Sequence, residues 1–293
     1  MSTATKPDSM AHHFIRTSIR SEIHLCYDCG TCLVECPVNR MTEGLRPLEL
    51  VRMANFGLME ELMCSSQLWY CLSCSRCSHV CPMTVKPSTL IAYLRLEAFR
   101  GGKMTDRRFS RIKNVHRRLH RVRRRLMELC LKGRPIPDLS LEWDHLGRPL
   151  REYGGEPSPI FPRTVDSKAF RTAAREYMGF STDLTLCFGC RECSNGCPVG
   201  QEMTVFDPLR IYRQIIWGLR DELLSSPDLW LCIACETCSR ACPQNVKGHL
   251  VIRRLQQLAQ EEGYVNFEFL RNRPVIERLA YKRFVDEIDL LIT

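Results

Sequence analysis

Cys26-Tyr27-Asp28-Cys29-Gly30-Thr31-Cys32-Leu33-Val34-Glu35-Cys36-Pro37 sets four thiols in the spacing C-x-x-C-x-x-C-x-x-x-C-P. The same spacing returns from Cys71 to Pro82, from Cys187 to Pro198 and from Cys232 to Pro243. The first pair of runs maps onto the second at one constant offset, Cys26 falling on Cys187 and Cys71 on Cys232. The match is gapless from Cys26–Lys86 to Cys187–Lys247, and 24 of those 61 positions are identical. Identities outside the cysteines include Pro47/Pro208, Leu48/Leu209, Arg52/Arg213, Gly57/Gly218, Trp69/Trp230 and Lys86/Lys247. A gapless register through non-cysteine positions marks a duplicated module.

Local patterning around the runs is helical. Pro47 stands where a first-turn proline is tolerated, and Leu48, Val51, Leu58 and Leu62 follow at helical spacing. The counterpart runs from Pro208 to Leu224. Ser88 is the expected N-cap of a helix over Thr89–Arg100, which Gly101-Gly102 should end. Few segments alternate like strands, so the fold class read from the sequence is all-α, two tandem helical modules. The expected organisation is an N-terminal tail (1–21), a first module (22–102), a basic amphipathic helix with a Pro/Gly linker (103–165), a second module (166–262) and a C-terminal extension (263–293). Within the third segment, Ile112, Val115, Leu119, Val122, Leu126 and Leu129 step by three and four along a helix at 105–131. Residues 133–165 carry Pro135, Pro137, Pro149, Pro157, Pro159 and Pro162 and read as irregular.

The cysteine spacing is that of bacterial [4Fe–4S] proteins. Three thiolates two residues apart wrap a tight loop around one cube and bind three of its irons. The fourth, followed by a proline that fixes the chain direction, points to the neighbouring cube. Four clusters are expected. Cys26, Cys29, Cys32 and Cys81 would hold the first, and Cys71, Cys74, Cys77 and Cys36 the second. Cys187, Cys190, Cys193 and Cys242 would hold the third, and Cys232, Cys235, Cys238 and Cys197 the fourth. Zinc sites use two C-x-x-C pairs around one tetrahedral ion and fit triplets followed by Cys-Pro poorly. Cys64 and Cys130 stand outside the runs and are expected to be small buried hydrophobes. Trp69 and Trp230, two residues before a run, suit either packing on a cube or plain core packing. His79 is replaced by Arg240 in the repeat and is not expected to ligate. Lys86 and Lys247 read as solvated lysines, with offsetting cluster charge as the functional alternative.

The residues from Leu-Cys-x-x-Cys through Gly-Leu-x-x-Glu-Leu to Leu-Trp-x-Cys resemble the C subunit of heterodisulfide reductase, and they do so in each half of the chain. That family has one such module, an α-helical ferredoxin; here it is doubled and a basic insert lies between the copies. Related modules occur in fumarate reductase iron–sulfur subunits and in anaerobic glycerol-3-phosphate, glycolate and lactate dehydrogenases. The resemblance implies an electron-transfer subunit placed between a flavoprotein and a disulfide- or thiol-active partner whose Cys-Cys-Gly motifs carry the chemistry. The alternative it leaves open is the iron–sulfur subunit of an anaerobic dehydrogenase or respiratory complex that feeds quinone. A zinc-built nucleic-acid module is a third class. This sequence has no Cys-Cys pair, no glycine-rich dinucleotide fingerprint and no acid–base or nucleophile constellation. No catalytic residues are expected in it.

Charge is concentrated. The chain carries +9, but residues 101–135 alone hold thirteen Lys/Arg against Asp106 and Glu128, so the remainder sums to −2. The basic helix at 105–131 has four readings. Packing on its own modules with solvated arginines stands level with docking on an acidic partner subunit; peripheral membrane contact follows, and nucleic acid is not expected. Met1 to Met10 lack a signal peptide's apolar core and a twin-arginine pair, and no apolar stretch reaches the ~20 residues of a membrane span. A cytoplasmic location is expected, with the inner membrane face as its variant.

Overall fold

The computed structural model describes residues 6–150 and 167–292; Pro157, Pro159 and Pro162 of the expected linker lie outside them. Seventeen α-helices and one two-stranded hairpin are found among the described residues, so the all-α reading holds. The chain divides into two compact units. One comprises residues up to 116 together with 281–293, the other residues 117–280.

The first unit opens with helix α1 (Ser9–Ile19), capped by the Asp8 carboxylate, which accepts from the Met10 and Ala11 amides. The described part of the expected tail, residues 6–21, is therefore largely helical, and Ile15 and Ile19 are buried. Short helices α2 (Thr31–Val34) and α3 (Pro37–Thr42) follow the first cysteine run. Then come α4 (Pro47–Asn55), α5 (Met59–Cys64), α6 (Gln67–Tyr70), α7 (Arg76–His79) and α8 (Pro87–Arg100). The apolar repeat from Leu48 to Leu62 is thus two helices and not one. Gly57 breaks it at φ +69°, where the chain turns against the Asp8 carbonyl; a Cβ there would lie 1.9 Å from that oxygen.

Ser88 does not cap α8. The helix starts two residues before the expected Thr89, at Pro87, with Lys86 in the left-handed region at its N-cap. The Ser78 hydroxyl, from α7, instead accepts from the Ser88 amide at 3.0 Å. The second unit repeats this with Ser239 and the His249 amide at 3.2 Å.

Helix α9 (Asp106–Leu131) covers the basic segment as expected, with Ile112, Val115, Leu119, Val122 and Leu126 buried. Its residues to 116 belong to the first unit and the rest to the second. The expected irregular linker contains a helix, α10 (Leu139–Leu146), capped by Asp138 and anchored by buried Leu139, Trp143 and Leu146.

The second unit continues with α11 (Ser167–Arg175) and a hairpin of β1 (Glu176–Tyr177) and β2 (Phe180–Ser181), turned at Met178-Gly179. Both turn residues have positive φ, as a tight hairpin of this hand requires. After it come α12 (Glu192–Asn195), α13 (Pro208–Ile216), α14 (Arg220–Leu224), α15 (Thr237–Arg240) and α16 (Gly248–Glu261). They repeat α2, α4, α5, α7 and α8, and Gly218 breaks α13 from α14 at φ +74° as Gly57 does in the first unit.

The C-terminal extension is helix α17 (Phe267–Ile292). Its residues to 280 pack in the second unit, where the Phe269 ring meets Trp230 edge-on at 5.0 Å. Those from 281 pack in the first, where the Phe284 ring meets His116 at 4.9 Å and Tyr70 donates to Asp289. His116 is buried, its Nε2 is 2.8 Å from the Trp69 carbonyl, and burial pushes its pKa down to about 4.

The arginines of α9 are largely not solvated. In the second unit Arg123, 1% exposed, makes a two-pronged ion pair with the buried Glu277 of α17, both bonds 2.7 Å. Arg124 pairs with Asp228 at 2.7 Å, Arg121 with Glu202, and Arg125 donates to the His145 carbonyl. This much of the basic patch is an internal ion-pair lattice. Arg107, Arg111, Lys113 and Arg117 remain exposed.

Candidate iron–sulfur sites

All four cysteine loops share one backbone path. Two residues after the first cysteine of each run, and again two residues later, φ is positive: Asp28 and Gly30, Ser73 and Ser75, Gly189 and Arg191, Ala234 and Glu236. Only two of these eight residues are glycines. A left-handed non-glycine residue costs about 1–2 kcal/mol, and strain of this kind persists only where surrounding structure or a ligand holds it. The path turns backbone amides inward: the amides of Ser73, Val85 and Ala234 donate to the sulfurs of Cys71, Cys81 and Cys232, each at 3.4 Å.

Cys36, Cys71, Cys74 and Cys77 line one small cavity in the first unit. Cys197, Cys232, Cys235 and Cys238 line its counterpart in the second. In each cavity the fourth cysteine of the first run thus faces the three leading cysteines of the second. Cys81 lies close enough to Cys26 and Cys32 for its charge to bear on both thiols. Cys187 and Cys190 bear likewise on Cys193, and Cys242 begins the same turn as Cys81, its carbonyl accepting from Asn245 as that of Cys81 does from Thr84.

The two sites of a module differ in depth. In the second-run sets Cys36, Cys71, Cys74, Cys77, Cys235 and Cys238 are buried and Cys197 and Cys232 half-buried; in the first-run sets Cys32 and Cys193 are buried, Cys26, Cys81, Cys187 and Cys242 half-buried, and Cys29 and Cys190 exposed. Burial pushes the thiols of Cys36 and Cys232 up to about 11 and that of Cys238 up to about 12. Cys29 shifts the other way, because the Thr31 hydroxyl and amide stabilise its thiolate. Among the described residues no three His, Cys, Asp or Glu side chains converge on a point that one metal ion would fill. Thiolates spread around a cavity suit the corners of a cube, and loading it displaces the protons that burial holds on these sulfurs. Leu48 packs against Cys32 and Cys77, one thiol from each expected site of the first module.

The neighbouring residues divide less evenly. Trp69 and Trp230 are core residues: Trp69 packs edge-on with Phe99 and Phe109. Cys130 is buried as expected, but Cys64 is exposed. His79 and Lys86 are exposed, and Lys247 donates to Asn245. Sequence reasoning missed Arg95. It donates to the carbonyls of Leu68 and Cys71 and to the Ser73 hydroxyl, and its guanidinium lies 5.6 Å from the Trp69 ring centre. The repeat has Gln256 there, which keeps only the bond to the Leu229 carbonyl. Position 95 lies beyond the stretch of duplicated identity, so the repeat gave no signal for it.

The family described as "4Fe-4S dicluster domain" matches residues 22–85 and 183–246, covering both pairs of cysteine runs. Each half of the chain thus carries one match to this domain. The two dicluster domains give the chain four [4Fe–4S] clusters. The chain is also similar to heterodisulfide reductase C subunits. It is 34% identical over 90 residues to the C subunit of the H(2):CoB-CoM heterodisulfide,ferredoxin reductase of Methanothermobacter thermautotrophicus, 31% of this chain and 48% of that one. It is 37% identical over 86 residues to a CoB–CoM heterodisulfide reductase iron–sulfur C subunit of Methanocaldococcus jannaschii, 29% of this chain and 45% of that one. The chain thus spans less than half the length of these relatives. No solved structure matches it. Among the described residues no helix is long and apolar enough to cross a membrane.

Proposed function

We propose that the chain is an electron-transfer subunit of a heterodisulfide-reductase-like complex, relaying electrons between a flavoprotein and a disulfide- or thiol-active subunit. The observation that carries this reading is the pairing, inside each dicluster domain, of a thiol set with one exposed member, Cys29 or Cys190, and a set that has none. In this reading Cys26, Cys29, Cys32 and Cys81, with Cys187, Cys190, Cys193 and Cys242, hold the two clusters that partners approach. Cys71, Cys74, Cys77 and Cys36, with Cys232, Cys235, Cys238 and Cys197, hold the two kept from water. Bound there, a cluster supplies reversible one-electron transfer. The chain's own residues fix the thiolates, donate amides to their sulfurs and exclude solvent from the inner sites, which tunes potential. The crossed sharing of Cys36 and Cys197 is supported by the cavities they line with the second runs.

The relatives' names support the complex. The internal ion pairs of Arg121, Arg123 and Arg124 reduce what α9 can offer a membrane or a partner to its exposed cations, and a cytoplasmic location fits that reading. Anaerobic purification from native cells tests it. Four clusters require about sixteen irons per chain with equal acid-labile sulfide. Co-purification of a flavoprotein and a Cys-Cys-Gly subunit supports the proposal. A cytochrome b or a hydroxy-acid dehydrogenase in their place would move the chain to a quinone-feeding complex, and a colourless zinc protein would overturn it.

A further inference from the structure

The two sealed sites are not equivalent, and the difference lies in a matched pair of residues. In the second module Tyr212 of α13 is 3% exposed, and its hydroxyl has no hydrogen-bond partner among the described residues, the Cys238 sulfur included. The space it occupies exists because position 248 is glycine. A Cβ built on Gly248 would lie 1.7 Å from the Tyr212 oxygen and 3.2 Å from the Cys238 sulfur. The hydroxyl and that sulfur therefore share one small gap at the first turn of α16. The first module has Val51 and Pro87 at the equivalent positions, both buried. It has neither the hydroxyl nor the gap.

A buried phenol without a polar partner is disfavoured unless something accepts its proton. The acceptor beside it is a sulfur that carries negative charge whenever a metal is bound. A phenolic O–H keeps its proton at neutral pH and is a donor there.

We propose that Tyr212 is a potential-setting residue: its O–H donates to the Cys238 thiolate and makes the second module's inner cluster easier to reduce than the same fold without that hydroxyl would. A donor aimed at a ligand sulfur offsets the charge added by an electron, and hydrogen bonds to sulfur are among the main settings of cluster potential. The inference rests on Cys238 being a cluster ligand, as proposed above.

The test uses the full-length, anaerobically loaded protein and its Tyr212→Phe variant, which keeps the ring and removes only the donor. Iron and sulfide are counted first, and then each cluster's midpoint is read by redox titration under magnetic resonance. One of four midpoints is expected to move negative, by a tenfold or larger change in its reduced-to-oxidised ratio at fixed potential, about 59 mV per tenfold for one electron. Gly248→Ala, whose methyl displaces the hydroxyl while the tyrosine remains, should move the same midpoint in the same direction. Four unmoved midpoints with full iron content would overturn the inference and leave the cluster assignment standing. So would loss of one cluster from both variants, which would make the hydroxyl a requirement for holding the cluster and not a setting of its potential. A parent protein with no iron would instead sink the cluster assignment itself.

Discussion

Breaking the Arg123–Glu277 pair should loosen the second unit far more than the loss of any exposed ion pair. Arg123→Met removes two charge-assisted bonds of 2.7 Å and the donor that reaches the Leu231 carbonyl at 3.1 Å. It leaves the Glu277 carboxylate, 5% exposed, buried beside an apolar side chain. Removing one partner of such a pair costs about 3–5 kcal/mol, because the survivor's charge is uncompensated. At about 1.36 kcal/mol per tenfold, that is a hundredfold to several-thousandfold rise in the open population. Amide exchange on the loaded protein reads it directly, in the α9 segment from 117 and the α17 segment to 280. Glu277→Gln should have a comparable effect. The double variant Arg123→Met/Glu277→Leu should recover most of the loss, since a buried pair exchanged for apolar packing is often neutral. Single variants that exchange within tenfold of the parent, or a double variant whose loss is the sum of its parts, would refute the reasoning.

Three other outcomes follow from particular contacts. Cys36→Ser should weaken the signal of the sealed cluster in the first module and spare the exposed one; selective loss of the Cys26-side signal in magnetic resonance would contradict the crossed assignment. Gly57→Ala should cost about 3 kcal/mol or more in α1 exchange protection, since its methyl meets the Asp8 carbonyl, whereas Gly102→Ala, at φ +68° with nothing within 4 Å, should cost only the left-handed penalty of about 1 kcal/mol. His116 is held neutral, with its pKa lowered to about 4 from 6.5, so its contribution is fully present above pH 6.5 and is lost as pH falls toward 4. Between pH 7 and 5.5 that loss is about 1 kcal/mol, and a His116→Asn variant should show a correspondingly flatter pH dependence of exchange in the first unit.

The cluster-bearing loops were legible because their geometry is written in spacing, and spacing is local. So was α9, whose apolar positions keep step over its whole length. Signals that depend on distant chain were not. The arginines of α9 read as solvated because Glu202, Asp228 and Glu277 lie 81 to 154 residues away. Ser88 read as a cap because the hydroxyl that serves its helix belongs to Ser78. Helix α10 hid among prolines, although Asp138 ahead of Leu139 is a recognisable start signal. Gly57 and Gly218 were visible as duplicated glycines, and their duplication at one helix break was the available clue. Left-handed Ser73, Ala234 and Glu236 gave no clue, since nothing in those residue types requires positive φ.

The unequal depth of the two thiol sets in each module bears on manufacture and repair. On the proposed assignment, Cys71, Cys74 and Cys77 are buried, so their cluster would be expected to go in before the surrounding helices close. Cys29 and Cys190 face water, so the clusters they would hold should be the first that oxygen reaches and the easier pair to rebuild in place.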